Sequence, residues 1–317
     1  WQKPYAGEDA TGDHVLGLWH FDAPTPAKGA GAVAPLALRG QSRFVPTGKF
    51  GGALESFPAD TANDKAQGAA ATRSFPGHTP KGAFTVEMWV KAKAELAASK
   101  TAFLLDKKYF HYAKDLPQAN RDYCWYLTAA AGGKFVLNVS LGFGTSSDWF
   151  RSSPVTFPEG TWQHVAFTYD GAGMVRQFVD GVCVGRARNE GRGPVVAGPH
   201  VLVVGDRVGS THSGFPGFID EVRISAGVHP GFRGSLMLVL GTGRATYRRG
   251  EPQVHLEAQV ANDTGVALSA VRATVVLAGK TVQTSGELAI GGGLPLRVPV
   301  DTWLRPDKYE AEVRAEG

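Results

Sequence analysis

Two carboxylates, Asp220 and Glu221, stand side by side in the stretch GFPGFIDEVRIS, Gly214 to Ser225. Paired carboxylates do acid–base work on a glycosidic bond when they flank it at about 5–10 Å. In a regular strand, neighbouring side chains leave on opposite faces, so alternation separates these two. It groups Asp220 with Phe218, Val222 and Ile224, facing inward, and Glu221 with Ile219 and Arg223. The segment is therefore expected to hold no catalytic residues. A buried carboxylate is costly unless a cation or N–H donors meet it. The question becomes what neutralises Asp220: a metal ion, an arginine or backbone N–H groups.

Aromatic side chains are the second chemical signal, because sugar rings stack on exposed tryptophan and tyrosine. Trp149 and Phe150 sit in GTSSDWFRSS, with polar turn residues on both sides. Tyr109 and Tyr112 stand among charges in the long loop DKKYFHYAKDLPQANRDY. These four residues are the predicted ligand surface. Trp19, Trp89 and Trp162 lie in regular strand patterns and are predicted to be core. The nine histidines show no HExxH spacing, and no G-x-S-x-G elbow is present. GTGRATYRRG lacks the strand–GxGxxG–helix setting that nucleotide binding needs. Cys124 and Cys183 lie in the apolar runs YCWYL and GVCVG, which leaves two readings, buried thiols or one disulfide.

The elements that position these residues read as β almost throughout. Glycine (41) and proline (19) are frequent, as expected of many short strands joined by turns. FTVEMWVK alternates Phe84, Val86, Met88 and Val90 against Thr85, Glu87, Trp89 and Lys91. In MVRQFVDGVCVGRAR, Asp180-Gly181 supplies the positive φ angles of a two-residue hairpin turn. The texture changes near residues 227–235, and two domains are predicted, 1–230 and 231–317. The second reads as a small immunoglobulin-like β-sandwich with strands in VHLEAQVAN, VRATVVLAG, KTVQTSGEL, LPLRVPVDT and YEAEVRAEG. It stops short of seven strands, so more protein is expected to follow.

A net charge of +4 with no basic stripe argues against a nucleic-acid partner. No run approaches the ~18 apolar residues of a membrane span. The chain begins at Trp1, as a mature secreted protein or a fragment of a longer one would.

Six phrases, LGLWHFD, GKFGGALE, FTVEMWVK, WQHVAFTYDGAG, FVDGVCVGR and FPGFIDEVRIS, occur in one order between His14 and Ala226. In that order the chain resembles LamG-like jelly-roll domains of the concanavalin A-like lectin/glucanase superfamily. The resemblance implies an all-β fold, a jelly-roll sandwich whose first and last strands are neighbours, here followed by the immunoglobulin-like sandwich. It also implies a calcium ion (Ca2+) near that seam, which would gather Asp22 and Asp220. Glucanases of this superfamily carry an E-x-D-x-E strand, and this chain has none. The function implied is that of a non-catalytic carbohydrate-binding module in a larger secreted, cell-surface or periplasmic protein, one that degrades or adheres to polysaccharide. The alternative is a structural or protein-interaction segment that packs against a catalytic domain elsewhere in the full-length chain.

Overall fold

The computed structural model describes residues 2–22, 34–58, 66–108, 117–208, 213–232, 236–240, 248–263, 267–277, 280–289, 292–303 and 311–316. The chain divides into two compact units, Trp1–Phe232 and Arg233–Gly317.

The first unit is an all-β jelly-roll sandwich of an eight-stranded and a seven-stranded antiparallel sheet. Alternation builds its core. Phe84, Val86, Met88 and Val90 of the Phe84–Ala92 strand are all buried inward, as their spacing predicts. They meet Trp125, Leu127, Leu137, Val139 and Leu141 of the seven-stranded sheet, with the Trp125 and Phe167 rings edge-to-face at 5.2 Å. The hairpin turn forms at Asp180 (φ 48°) and Gly181 (φ 78°), between the paired Val179 and Val182. The first strand, Val15–Trp19, lies antiparallel to the last, Gly217–Ala226. Trp19 is core; Trp89 is buried on the opposite face of its sheet, and Trp162 is only half-buried, below Lys91. Cys124 and Cys183 form no disulfide with each other; Cys124 is buried and Cys183 half-buried.

The last strand departs from the expected alternation. Asp220 lies opposite Trp89 and Arg223 opposite Glu87. Opposed residues share a face, and Trp89 and Glu87 are two apart, so three steps on one strand match two on the other. A β-bulge absorbs the extra residue, with Glu221 at φ 52°. Ile219, Val222 and Ile224 all reach the core. Asp220 therefore faces away from the core, together with Arg223, and does not share a face with Val222 and Ile224.

The bulge assembles a buried charged cluster on the outer face of the eight-stranded sheet. Arg223, only 1% exposed, donates from Nε and Nη2 to Glu87 Oε1 at 2.8 and 2.6 Å. Tyr5 OH donates to Glu87 Oε2 at 2.7 Å, and its ring lies under the Arg223 guanidinium at 3.9 Å. Glu221 accepts the Tyr5 N–H at 3.2 Å and meets His20 Nδ1. The cluster thus pins the N-terminal segment to the sheet.

Among its described residues the second unit holds two three-stranded sheets. One joins Leu236–Leu240, His255–Asn262 and Gly293–Pro299; the other joins Lys280–Leu288, Leu268–Leu277 and Ala311–Glu316. Val260, Val271, Ala273, Val275, Leu296 and Val298 form its core.

Removing one member of a buried ion pair strands the other charge. Arg223→Met is expected to destabilise the first unit by about 3–5 kcal/mol, with part of the loss recovered in Arg223→Met/Glu87→Leu. Thermal melting of the two variants checks this; equal melting of the single variant and the unaltered chain would contradict it.

Candidate functional site

The sequence-predicted Asp22 and Asp220 do come together, at the turn of GKFGG. Asp220 Oδ2 accepts the N–H groups of Lys49 and Phe50 at 2.8 and 2.9 Å, and Oδ1 accepts that of Glu221 at 2.7 Å. Asp22 Oδ1 accepts the Gly52 N–H at 2.8 Å. Gly48 and Gly51 are required here: a Cβ at Gly48 would crowd the Gly52 carbonyl, and one at Gly51 (φ 77°) would collide with Asp22 Oδ1.

A calcium ion needs oxygens with free lone pairs, about six to eight of them. Asp220 instead faces the positive ends of three N–H bonds, and among the described residues no three His, Cys, Asp or Glu side chains gather as a ligand set. Within the chain, the Asp220 charge is met by the N–H groups of the turn and of Glu221. Burial, with the Glu221 charge adding, pushes the Asp220 carboxyl up to about 7 against the opposing N–H bonds.

The bulge also changes the argument about acid pairs, since Glu87, Asp220 and Glu221 now line one face. Their oxygens are nevertheless engaged within the protein. Burial alone would raise Glu87, but the His164 hydrogen bond and the Arg223 charge hold it at about 2. An ionised acid bonded to Arg223, Tyr5 and His164 is a structural anchor.

The sheet face that could hold a ligand is the outer side of the seven-stranded sheet. In Tyr123–Ala129, alternation buries Tyr123, Trp125 and Leu127 in the core and turns Cys124, Tyr126 and Thr128 outward. In Phe135–Gly142 it turns Asn138 and Ser140 outward, and in Ser147–Arg151 it turns Trp149 and Arg151 outward. Register then sets these side chains in two cross-strand rows: Trp149, Ser140, Cys124, Asp106, and Arg151, Asn138, Tyr126, Phe103. The Phe103 and Tyr126 rings stack at 4.8 Å and 19°. Trp149 is 49% exposed, while Phe150, predicted for the same surface, is 2% exposed and belongs to the core. That prediction is corrected by alternation itself: adjacent strand residues cannot both face solvent. Tyr109 and Tyr112 lie outside the described residues.

Between the rows is a cavity of about 220 Å³, lined by Phe103, Tyr126, Trp149, Ser140, Lys108 and Arg207, among others. Lys108 Nζ donates to the Ala119 carbonyl and, at 2.7 Å, to Ser147 Oγ. Arg207 lies 5.6 Å from the Phe103 ring centre. Burial pushes the Cys124 thiol well up and the Tyr126 hydroxyl to about 12. Both stay protonated near neutrality, so neither is a nucleophile or base. The arrangement offers ring stacking, hydroxyl and amide hydrogen bonds and two cations, which is the chemistry of recognition. Tyr126 and Ser140 were within reach of the sequence, since YCWYLT and LNVSL alternate. Phe103, Lys108 and Arg207 join the cavity only through the bulge at Phe103/Leu105 and through segment contacts that sequence spacing does not reveal.

A family model described as concanavalin A-like lectin/glucanases superfamily matches residues 63–228. Among solved structures, the chain is similar to domain 4 of a GH43 extracellular arabinanase from Geobacillus stearothermophilus, in complex with arabinotriose. The identity is 22%, the TM-score 0.47, and 69% of this chain and 93% of that one are covered. It is also similar to a heptameric SAP-like pentraxin from Limulus polyphemus, at 16% identity and TM-score 0.40, over 55% of this chain and 76% of that one. The binding domain of botulinum neurotoxin serotype C1 matches at 10% identity and TM-score 0.49, over 85% and 72%. No curated protein matches the sequence.

An acid whose folded-state pKa is raised, from 3.8 to about 7, stabilises the fold fully below its unfolded value. That contribution is lost as pH climbs through the interval and is gone above about 7. The melting-temperature advantage of the unaltered chain over Asp220→Asn is expected to shrink between pH 4 and pH 7 and then level off. An advantage that grows over this interval would contradict the assignment. A chelator is expected to leave the melting temperature unchanged.

Proposed function

The chain belongs to the concanavalin A-like lectin/glucanase superfamily, and from that premise we propose that its first unit is a carbohydrate-binding domain whose ligand lies on the outer face of the seven-stranded sheet. The observation that carries this reading is Trp149, a large exposed indole at the rim of a polar, aromatic cavity on a rigid sheet. A sugar presents an apolar C–H face and a rim of hydroxyls. Trp149 suits the face, and Ser140, Lys108 and Arg207 suit the rim. The volume is below the ~300–1,000 Å³ of pockets that enclose drug-sized ligands, so it suits one sugar unit of a chain running across the surface.

The role is non-catalytic on this reading: the module holds a larger secreted or cell-surface protein on polysaccharide. The second unit, with its two three-stranded sheets, is read as an immunoglobulin-like sandwich.

Two neighbouring substitutions test the reading. Trp149→Ala is expected to weaken polysaccharide binding at least about tenfold, with the melting temperature almost unchanged. Phe150→Ala is expected to cost about 3–5 kcal/mol of stability as a core truncation. Affinity electrophoresis and thermal melting check both. Binding that survives Trp149→Ala undiminished, or no binding across a broad glycan array, would overturn the proposal.

A further inference from the structure

Trp149 stands on an edge strand. Ser147–Arg151 lies at one end of the order of its sheet and, among the described strands of that sheet, pairs with Phe135–Gly142 alone. Alternation turns Trp149 outward and its two neighbours, Asp148 and Phe150, inward. Phe150 is anchored in the core, which fixes the backbone on one side of Trp149. The backbone on the other side depends on what holds Asp148.

Arg192 holds it, from the loop between Val182–Arg188 and Val203–Val204. Its Nε and Nη2 donate to Asp148 Oδ2 and Oδ1 at 2.6 and 2.7 Å, a two-pronged bond that sets direction as well as distance. Its Nη1 donates to Ser146 Oγ at 3.0 Å, and its guanidinium lies 4.9 Å from the Phe143 ring centre. One side chain thus grips three residues of the turn and strand that lead into Trp149. Burial opposes the Asp148 charge, but the hydrogen bonds from Arg192 and Asn189 hold its carboxyl below the ordinary value. The Arg192 loop is itself tied to both sheets. The Tyr169 hydroxyl donates to the Gly193 carbonyl at 2.5 Å, and the Val196 N–H donates to the Gly142 carbonyl at 3.0 Å.

We propose that Arg192 is a positioning residue of the carbohydrate site, which acts through Asp148 to preset the Trp149 indole for stacking on a sugar ring. This rests on the carbohydrate-binding reading above and adds the device that orients its principal ring. A side chain ordered before the ligand arrives does not have to be ordered by it. For one such side chain the difference is about three- to tenfold in affinity. Lysine would not serve equally, because it offers a point charge in place of a planar fork.

The test uses the whole chain labelled with 5-fluorotryptophan and read by fluorine NMR, with Trp149→Phe assigning the Trp149 resonance among the seven tryptophans. Arg192→Met is expected to shift or broaden that resonance and to leave those of Trp19 and Trp125, both closed in the core, in place. Affinity gels of arabinan, xylan, galactan and mannan give the second reading. On the gel that retards the unaltered chain most, Arg192→Met should weaken binding about three- to tenfold, and Arg192→Lys should recover part of the loss. In a Trp149→Ala background, Arg192→Met should make no further difference. A general loss of stability would move every resonance and would not depend on Trp149. Should Arg192→Met fail to fold, Asp148→Asn, which keeps the shape and removes the charge, decides on the same two readings. An unmoved Trp149 resonance, or an equal loss of binding with and without Trp149, would overturn the inference while leaving carbohydrate binding intact. A chain that binds no polysaccharide overturns both.

Discussion

The first unit depends on a buried arginine that has to meet a buried carboxylate. Arg223 is closed to solvent on the outer face of the eight-stranded sheet, and Glu87 lies directly opposite. Neither charge is tolerable there alone. Satisfying the pair fixes the register of the last strand against Phe84–Ala92, and the extra residue is taken up at Glu221. A non-glycine residue at φ 52° is strained by roughly 1 kcal/mol or more. The contacts of its side chain with Tyr5 and His20, and those of Asp220 with the GKFGG turn, offset that strain. One bulge thereby ties the N-terminal segment, the first strand and the turn to the strand that closes the sandwich.

The second sheet uses the same alternation for another purpose. Its inward side chains complete the core, and its outward ones form the Trp149 and Tyr126 rows around a cationic cavity. Burial treats the groups there in opposite ways. It pushes the Cys124 thiol and the Tyr126 hydroxyl up, and it lowers the Lys108 ammonium from its ordinary value against the opposing pull of Asp106 and Asp122. The outer face of the eight-stranded sheet also carries charge, and there Arg223, Glu87, Tyr5, Glu221 and His20 bond one another.

Much of the fold was legible because it rests on period-two patterns and turn chemistry. The strand Phe84–Ala92, the Asp180-Gly181 hairpin and the pairing of first and last strands appear where the residues and the family phrases place them. The site was legible only in part. Trp149 stands out because polar turn residues flank it, whereas its neighbour Phe150 could be separated from it only by knowing the strand's phase. Asp22 and Asp220 meet as expected, yet what they meet is the N–H groups of a glycine turn.

By itself the sequence determined which residues alternate, where the turns must fall and that no strand carries an E-x-D-x-E motif. These are local properties, set by side-chain period and by backbone conformations that few residues allow. Only the tertiary structure decided the face of Asp220, because a bulge is a register mismatch between two strands and leaves no local mark in FIDEVRIS. Only it gathered Phe103, Lys108, Tyr126, Ser140, Trp149 and Arg207 around one cavity, since strand order is set by which apolar faces pack and not by position in the chain.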